Sequence, residues 1–290
     1  MLRMEIKKVL IIGAGQMGSG IAQVMAMSGR QVAMFDIKEE FVNKGLAAIE
    51  KNLSKSVEKG KMTQDEKDAT LSRITTGVEW GPKDCDVDLA MEAVIENMDL
   101  KKSLFKKLDE WCPERTIFAT NTSTLPVTAM GSVTSRPHKM IGMHFFSPVP
   151  IMKLIEGVVG LATDEETVKS IEVLGNSLPN KTFIRVSDSP GFVGNRIMVP
   201  MMNEAIYTLF EGVAEPETID NVALLGFNHP IGPLRLCDAI GLDTILYVME
   251  ILYKEYGDTK YRPCPLLRKY VEAGWLGKKA GRGFYNDYKK

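Results

Sequence analysis

The 290-residue chain has few of the features that mark disulfide-rich, metal-binding or membrane-spanning proteins. Its four cysteines lie far apart and form no C-x-x-C pair, so neither a disulfide framework nor a metal site is predicted. No uninterrupted apolar run approaches the ~20 residues of a membrane span. The formal net charge is −1, which gives no general attraction to nucleic acid or to an anionic membrane.

The remaining composition is that of an ordinary globular protein. Apolar residues make up 44% of the chain and charged residues 25%. The length exceeds the roughly 100–200 residues of one domain, which favours two domains. A strand-like run begins at Lys8. Because this leaves no room for a signal or transit peptide ahead of it, we expect a cytoplasmic protein.

A glycine-rich turn follows the first apolar run, Lys8–Ile12, and precedes a helical pattern. In a strand–turn–helix unit, Gly13 allows a tight turn, Gly15 lets a pyrophosphate approach the backbone, and Gly18 lets helix and strand pack closely. Asp36 ends the next apolar run, about twenty residues further on. Its carboxylate can bind ribose hydroxyls and would repel the additional phosphate of NADP. The pattern therefore predicts an NAD site.

Strand-like and helical segments alternate through the first half of the chain. The further strand candidates are residues 87–94, 116–120, 139–143 and 182–186. Alternation of this kind predicts a doubly wound parallel sheet, whose ligands bind outside the carboxyl ends of the strands. Four polar side chains are predicted to follow strands directly: Glu96, Asn121, Ser123 and His144.

One of the three histidines, His144, comes at the end of an apolar strand, before a loop stiffened by Pro148 and Pro150. Glu156 follows in another strand-like run. An imidazole titrates near neutral pH, and a carboxylate on its far nitrogen would fix its tautomer and stabilise the imidazolium. The two residues therefore predict a general base and the group that orients it.

Two other segments are predicted to be helical. Residues 38–73 form a polar insertion, which is either a solvated helical hairpin or an arm whose lysines reach phosphates of a long anionic substrate. After the turn-forming Ser187–Gly191, almost every segment has helical spacing. We therefore expect a first domain over residues 1–187 and an all-helical domain over 188–290. Apolar surface on so many helices favours a homodimer through the second domain.

Several motifs occur in a fixed order along the chain: Gly13–Ala22, Glu92–Glu96, Asn121–Ser123, His144–Phe146, Asp188–Arg196, Gly232–Leu234, Gly241–Asp243 and Gly277–Tyr285. In this order they resemble the L-3-hydroxyacyl-CoA dehydrogenase family, in particular its short prokaryotic 3-hydroxybutyryl-CoA dehydrogenases. The resemblance implies an α/β Rossmann-type domain and a helical domain, usually in a dimer. It also implies NAD-dependent interconversion of an (S)-3-hydroxyacyl-CoA, of short chain, and a 3-ketoacyl-CoA.

The resemblance also implies roles for individual residues. His144 would be the catalytic base and Glu156 its partner, while Ser123 and Asn195 would contact the reacting part of the substrate. The cofactor-binding residues would be Gly13, Gly15, Gln16, Met17, Gly18, Asp36, Glu96, Lys101, Ser123, Ser147 and Lys279. Asn52 and Lys59 would contact the CoA moiety. The chain departs from the family at Ser147, commonly asparagine, and at Asn52, usually serine.

Two other functions are compatible with the sequence. A dehydrogenase of a free 3-hydroxy acid would keep hydride transfer but would not need a lysine such as Lys59. A non-catalytic NAD-binding protein would keep the glycine-rich turn. It would not need His144, Glu156, Ser123 and Asn195 together, and their joint presence favours the enzyme.

Overall fold

The computed structural model describes residues 4–288 and divides into two compact units, which meet along the chain between Asp188 and Ser189. Each unit has its own buried apolar cluster. In the first, the cluster includes Ile11, Met91 and Ile141. In the second, it includes Met202 and Met249. Each unit therefore has a hydrophobic core of its own.

The first unit is built on one eight-stranded sheet with the strand order β3-β2-β1-β4-β5-β6-β7-β8. The strands are β1 Lys8–Ile12, β2 Gln31–Phe35, β3 Ile74–Gly77, β4 Leu89–Glu92, β5 Ile117–Thr120, β6 Met140–Phe145, β7 Leu154–Val159 and β8 Thr182–Ser187. Every residue of β4, β5 and β6 is buried. Burial on both faces explains why these strands read as continuous apolar runs rather than as alternating patterns.

Six helices belong to the first unit and five to the second, among the described residues. The first six are α1 Gln16–Met27, α2 Glu39–Glu58, α3 Gln64–Leu71, α4 Met98–Trp111, α5 Val127–Gly131 and α6 Glu165–Ser177. The second five are α7 Gly194–Phe210, α8 Pro216–Gly226, α9 Pro233–Ile240, α10 Leu242–Tyr256 and α11 Pro265–Glu272. The predicted fold class, a doubly wound α/β sheet with a helical domain, is confirmed.

The sheet is not wholly parallel. Strands β1 to β6 run parallel, but β7 pairs antiparallel with β6, and β8 runs parallel to β7. The antiparallel ladder reaches Phe145, which pairs with Ile155, and His144 pairs with Glu156. The prediction that His144 follows its strand was therefore wrong. His144 lies within β6, because pairing with β7 extends this strand beyond the apolar run from which its end was predicted.

Strand β1 pairs with β2 on one side and with β4 on the other, so the direction of chain crossover reverses at β1. In doubly wound sheets, ligands bind at this reversal, in the crevice outside the carboxyl ends of the strands. The glycine-rich turn follows β1 directly. The structure thus places that turn at the expected binding edge.

Helix α2 packs its buried face, Val42, Gly45, Ile49 and Leu53, against the first unit. Helix α3 begins at a capping box in which Thr63 and Glu66 each accept a hydrogen bond from the other's backbone N–H. The insertion is therefore a helical hairpin with one buried and one exposed face.

In the second unit, buried carboxylates hold the segment that follows α11. Asp238 accepts hydrogen bonds from the backbone N–H groups of Phe284 and Tyr285, both at 3.0 Å. Asp220 accepts a bond of 2.7 Å from the Tyr285 hydroxyl. Within residues 4–288, no helix is long and apolar enough to cross a membrane.

Candidate active site

The glycine-rich turn has the geometry that a dinucleotide requires. Gly13 has φ +109°, and a Cβ there would lie 2.3 Å from the carbonyl oxygen of Ala93. A Cβ on Gly18 would lie 1.8 Å from the carbonyl oxygen of Gly13. A Cβ on Gly15 would meet nothing within 4 Å. The lack of a side chain at Gly13 and Gly18 therefore allows the backbone to pack closely there. At Gly15 it leaves open space beside the backbone.

That open space belongs to a cavity of about 810 Å³ in the first unit. Its polar lining residues include Gln16, Gln23, Asp36, Lys44 and Asn52. Its apolar lining residues include Ile37, Phe41, Val78, Trp80, Ile95, Leu100 and Leu104. A cavity of this size with an apolar wall and few polar groups is typical of a cofactor site.

Asp36 stands at the carboxyl end of β2 and lines the cavity. Its Oδ2 accepts a hydrogen bond of 2.7 Å from the Ala14 N–H, and its Oδ1 accepts one of 2.7 Å from the Ile37 N–H. Each carboxylate oxygen has a second lone pair that can accept from a ribose hydroxyl. The backbone N–H groups of Ala14 and Ile37 thus hold the Asp36 carboxylate in position beside the glycine-rich turn.

The residues present fit NAD. Helix α1 has no acidic residue in its first turn, and Gly15 offers no side-chain cap, so the backbone N–H groups at its start can face a pyrophosphate. The open face of Gly15 gives that group room, and the carboxylate of Asp36 suits a ribose better than a ribose phosphate. Gly13, Gly15, Gln16 and Asp36 would hold the adenosine and pyrophosphate portion. Met17 and Gly18 do not line the cavity.

Ser147, one of the two departures from the family pattern, is hydrogen-bonded to the glycine-rich turn. The Gln16 Nε2 donates to the Ser147 Oγ at 2.8 Å, and both side chains belong to exposed residues. The same loop continues through Val149 and Pro150, which line the cavity. The loop after β6 is therefore joined to the cofactor turn through the serine hydroxyl.

His144 and Glu156 face each other across the ladder of β6 and β7. The His144 Nδ1 lies 2.7 Å from the Glu156 Oε2, and 8% and 2% of their side chains are exposed. Directly opposed residues in an antiparallel pair have neighbouring Cβ atoms, which explains how strand pairing brings the two together. Because an ionised carboxylate only accepts hydrogen bonds, this contact favours the tautomer that carries its proton on Nδ1.

Asn121 links the neighbouring strand to this pair. Its Oδ1 accepts a hydrogen bond of 3.0 Å from the backbone N–H of Phe145, the residue after His144. The Phe146 ring lies 4.5 Å from the imidazole, measured between ring centroids. Asn121 thus fixes the backbone beside His144, and the Phe146 ring packs near the imidazole.

Glu96 organises the loop that carries Ser123. Its Oε1 accepts hydrogen bonds from the Ser123 N–H at 3.1 Å and from the hydroxyls of Thr122 and Thr124. Burial acts to raise the pKa of Glu96. The nearby Lys101 ammonium, the Thr122 hydroxyl and the Ser123 amide together outweigh burial, and the pKa falls below its usual value. Glu96 is therefore ionised at neutral pH, with protein donors on its oxygens.

Lys101 was expected to line the NAD site, and the structure places it in a buried ion cluster. Its side chain is 1% exposed, its Nζ lies 2.7 Å from Glu92 and 3.1 Å from Glu96, and it does not line the cavity. Glu96 and Ser123 are likewise absent from the cavity lining. The structure brings Glu96, Lys101 and Ser123 together as one cluster at the carboxyl ends of β4 and β5.

The remaining candidate residues belong to helix α2 and to the second unit. Asn52 lines the cavity from α2 and donates to the Gln23 Oε1 at 3.3 Å. Lys59 caps the C-terminus of α2 and is exposed. In the second unit, Asn195 is buried in the first turn of α7, and the Lys279 Nζ lies 2.6 Å from the Asp243 Oδ1.

Sequence reasoning missed Lys44 and Gln23 as cavity-lining residues. A signal existed for Lys44, since Phe41, Lys44, Ala48 and Asn52 recur at helical spacing and all line the cavity from α2. The charged composition of the insertion obscured which of its lysines face inward.

Comparison with known proteins identifies the family of the chain. Residues 8–189 match the family model described as 3-hydroxyacyl-CoA dehydrogenase, NAD binding domain, and residues 191–287 match the model of the C-terminal domain. A probable 3-hydroxybutyryl-CoA dehydrogenase of Bacillus subtilis (strain 168) is 53% identical over 287 residues, which are 99% of this chain and 99% of the relative. A 3-hydroxybutyryl-CoA dehydrogenase of Clostridioides difficile is 48% identical over 98% of this chain and 100% of its own length.

A solved structure is equally similar. The crystal structure of (S)-3-hydroxybutyryl-CoA dehydrogenase PaaH1 from Ralstonia eutropha has a TM-score of 0.94 and 48% sequence identity, and the match covers 99% of this chain and 100% of that one. The predicted family, enzyme class and cofactor are thereby confirmed. Because the two family models together span almost the whole length, the chain belongs to the NAD-dependent 3-hydroxyacyl-CoA dehydrogenase family.

Proposed function

We propose that this enzyme interconverts a short-chain (S)-3-hydroxyacyl-CoA, such as 3-hydroxybutyryl-CoA, and the corresponding 3-ketoacyl-CoA, with His144 as the general base. The observation that carries the proposal is the buried contact of 2.7 Å between His144 Nδ1 and Glu156 Oε2, in the domain that binds NAD. The names of the two bacterial relatives support the substrate class.

Oxidation of a secondary alcohol removes a proton from the hydroxyl and a hydride from the carbinol carbon. When bound, NAD supplies the acceptor for the hydride. The basic Nε2 of His144 takes the hydroxyl proton, and the Glu156 carboxylate stabilises the imidazolium that forms. General-base catalysis of this kind typically contributes about 10²–10⁴-fold to the rate. The reverse reaction returns the proton from His144 to the carbonyl oxygen.

The substrate must also be held so that its reacting carbon is correctly oriented. We assign this role to the Ser123 hydroxyl and the Asn195 amide, following the family resemblance. Ser123 is suited to it because the Glu96 carboxylate fixes its backbone N–H at 3.1 Å. On the CoA side, Asn52 lines the cavity from α2, and Lys59 offers an exposed positive charge at the end of the same helix.

A dehydrogenase of a free 3-hydroxy acid is the alternative within the same chemistry. The rate of NADH oxidation with acetoacetyl-CoA, compared with free acetoacetate, separates the two functions. The proposal predicts turnover of the thioester far above that of the free acid. Equal kcat/KM for both substrates would contradict the assignment of an acyl-CoA substrate.

Lys59→Glu tests the CoA contact more closely. Replacing a positive charge near the anionic CoA group with a negative one should raise KM for acetoacetyl-CoA about tenfold, since like charges repel. The Kd of NADH should stay unchanged. Lys51→Glu, at another exposed lysine of the same helical insertion, is the matched control because the family resemblance assigns it no contact with CoA. An equal rise in KM in the control would indicate a general charge effect.

Initial rates along a series of 3-ketoacyl-CoA thioesters, from four carbons upward, test the chain-length preference. The proposal predicts the highest kcat/KM at the shortest members. A maximum at long chains would contradict the short-chain assignment. A cytoplasmic location and homodimerisation through the helical domain stay predictions of the sequence.

A further inference from the structure

A cluster of three charged residues lies at the carboxyl ends of β4 and β5. The Lys101 Nζ lies 2.7 Å from Glu92 Oε1 and 3.1 Å from Glu96 Oε2. The side chain of Glu92 is fully buried, that of Lys101 is 1% exposed, and that of Glu96 is 23% exposed. Two carboxyl groups therefore share one ammonium group, and the formal net charge of the cluster is −1.

Glu92 has no assigned role in the proton transfer, yet its carboxylate accepts hydrogen bonds from three donors. Its Oε1 accepts from the Val94 N–H at 2.7 Å and from Lys101, and its Oε2 accepts from the Thr120 hydroxyl at 2.6 Å. This is the pattern of an ionised carboxylate. Stability alone is a weak reason for a second buried acid, because buried ion pairs contribute little net stability compared with apolar residues of similar volume.

The position of the cluster relates it to the cofactor. Glu92 ends β4, Thr120 ends β5, and Glu96 reaches the Ser123 backbone N–H at 3.1 Å. In a doubly wound sheet the two halves bind the two halves of a dinucleotide. Strands β1 to β3 carry the glycine-rich turn and Asp36, which leaves the nicotinamide half of the cofactor to β4 and β5.

The two redox states of the cofactor differ in charge at that end. The oxidised nicotinamide ring is positively charged, and the reduced ring is neutral. A fixed negative charge in a poorly solvated site attracts the oxidised ring and has little effect on the reduced one. We propose that Glu92 is a positioning residue that sets the net negative charge of the Glu92–Lys101–Glu96 cluster, and that this charge favours binding of NAD⁺ over NADH. The proposal rests on the use of NAD in the proposed function.

Glu92→Gln tests this proposal with little change in shape. The glutamine Oε1 can still accept from the Val94 N–H and from Lys101, and its amide can donate to the Thr120 hydroxyl. The Kd of NAD⁺ and of NADH is measured without substrate, by calorimetry or fluorescence titration, for wild type and variant. We expect the ratio of the NAD⁺ Kd to the NADH Kd to rise about tenfold, as expected for one charge acting over ~10 Å at an effective dielectric constant of ~20.

Asp109→Asn is the matched control. Asp109 also pairs with a cation, Arg136 at 2.8 Å, but it lies near the end of α4, beside the segment that precedes β6. This is the amino edge of the sheet, away from the cofactor. We expect its Kd ratio to equal that of wild type. An equal change of the ratio in both variants would overturn the proposal.

Glu96→Gln removes the same unit of charge from the more exposed end of the cluster. If Glu92→Gln does not fold, Glu96→Gln provides the test. It should shift the ratio of the NAD⁺ Kd to the NADH Kd in the same direction. An unchanged ratio in folded variants that bind both nucleotides contradicts the proposal, because a merely structural role would weaken both forms alike. Failure of the wild type to bind NADH would instead contradict the proposed function.

Discussion

At the scale of single residues, the site depends on pairs whose positions are set by backbone pairing. His144 and Glu156 oppose each other in the antiparallel ladder, so the contact of 2.7 Å follows from strand register. A shift of one residue in register would turn one of the two side chains to the other face of the sheet. The relative position of the base and its orienting carboxylate is therefore set by the register of the sheet.

Glu156→Gln separates the charge of this carboxylate from its shape. The glutamine oxygen can still accept from Nδ1, but it cannot stabilise an imidazolium. We expect kcat to fall about 10²-fold, within the usual contribution of a general base, while the NADH Kd stays unchanged. Steady-state rates with acetoacetyl-CoA provide the measurement. Glu165→Gln, which removes a surface partner of Arg185, is the control and should leave kcat unchanged. Full activity of Glu156→Gln would refute the orienting role.

Glu96 predicts a dependence of stability on pH. Its pKa in the folded enzyme lies below the usual 4.5. A lowered pKa stabilises the folded state at pH values above the unfolded-state pKa, and this stabilisation is lost as pH falls through the folded-state pKa. Urea unfolding should show Glu96→Gln less stable than wild type at neutral pH. The difference should shrink as the pH falls below 4.5 and through the lowered folded-state pKa of Glu96. A difference that is constant over this range would contradict the assignment.

At the scale of elements, the helix after β2 supports the cofactor turn. Gly45 of α2 packs so closely that a Cβ would lie 2.5 Å from the Ala14 carbonyl oxygen. The same helix presents Lys44 and Asn52 to the cavity. Helix α2 thus lines the binding cavity and also packs against the glycine-rich turn.

Gly45→Ala should therefore affect stability and cofactor binding together. Overpacking against backbone costs about 1–3 kcal/mol, and displacement of the turn should raise the NADH Kd several-fold. Gly226→Ala is the matched control, since a Cβ there would meet nothing within 4 Å. Thermal unfolding and NADH titration measure both effects. An unchanged unfolding temperature and an unchanged NADH Kd for Gly45→Ala would show that the packing of α2 does not hold the turn in place.

At the scale of the whole molecule, the helical unit exposes many large apolar side chains. Exposed fractions reach 66% at Ile197, 70% at Val213, 87% at Leu225 and 67% at Phe227. A concentration of exposed apolar residues is typical of an interaction surface. It supports the prediction of a homodimer through this unit.

Solution mass tests the dimer. We expect light scattering at micromolar concentration to give about twice the chain mass of 32.2 kDa. Leu225→Lys should shift the equilibrium toward monomer, because a charge in an apolar interface is costly to desolvate. Leu161→Lys, at a residue 90% exposed in the first unit, is the control. A monomeric wild type would contradict the prediction.

The sequence predicted those features that depend on local pattern. The glycine-rich turn, Asp36 and the apolar strands are local signals, and each has its expected place in the sheet. The extension of β6 to include His144 depends on pairing with β7, which apolar periodicity does not report. Likewise, nothing local indicates that Lys101 is buried, since only the packing of α4 against β4 brings it to Glu92. The extent of β6 and the burial of Lys101 both depend on tertiary contacts, which a local sequence pattern does not report.

The most direct test of the enzyme's proposed chemistry is the rate of NADH oxidation with acetoacetyl-CoA by His144→Ala. The variant should lose about 10²–10⁴-fold in kcat, because it lacks the group that exchanges the proton. Its NADH Kd should match that of the wild type, since His144 does not line the cofactor cavity. Full turnover by a folded variant that binds NADH normally would show that another group transfers the proton.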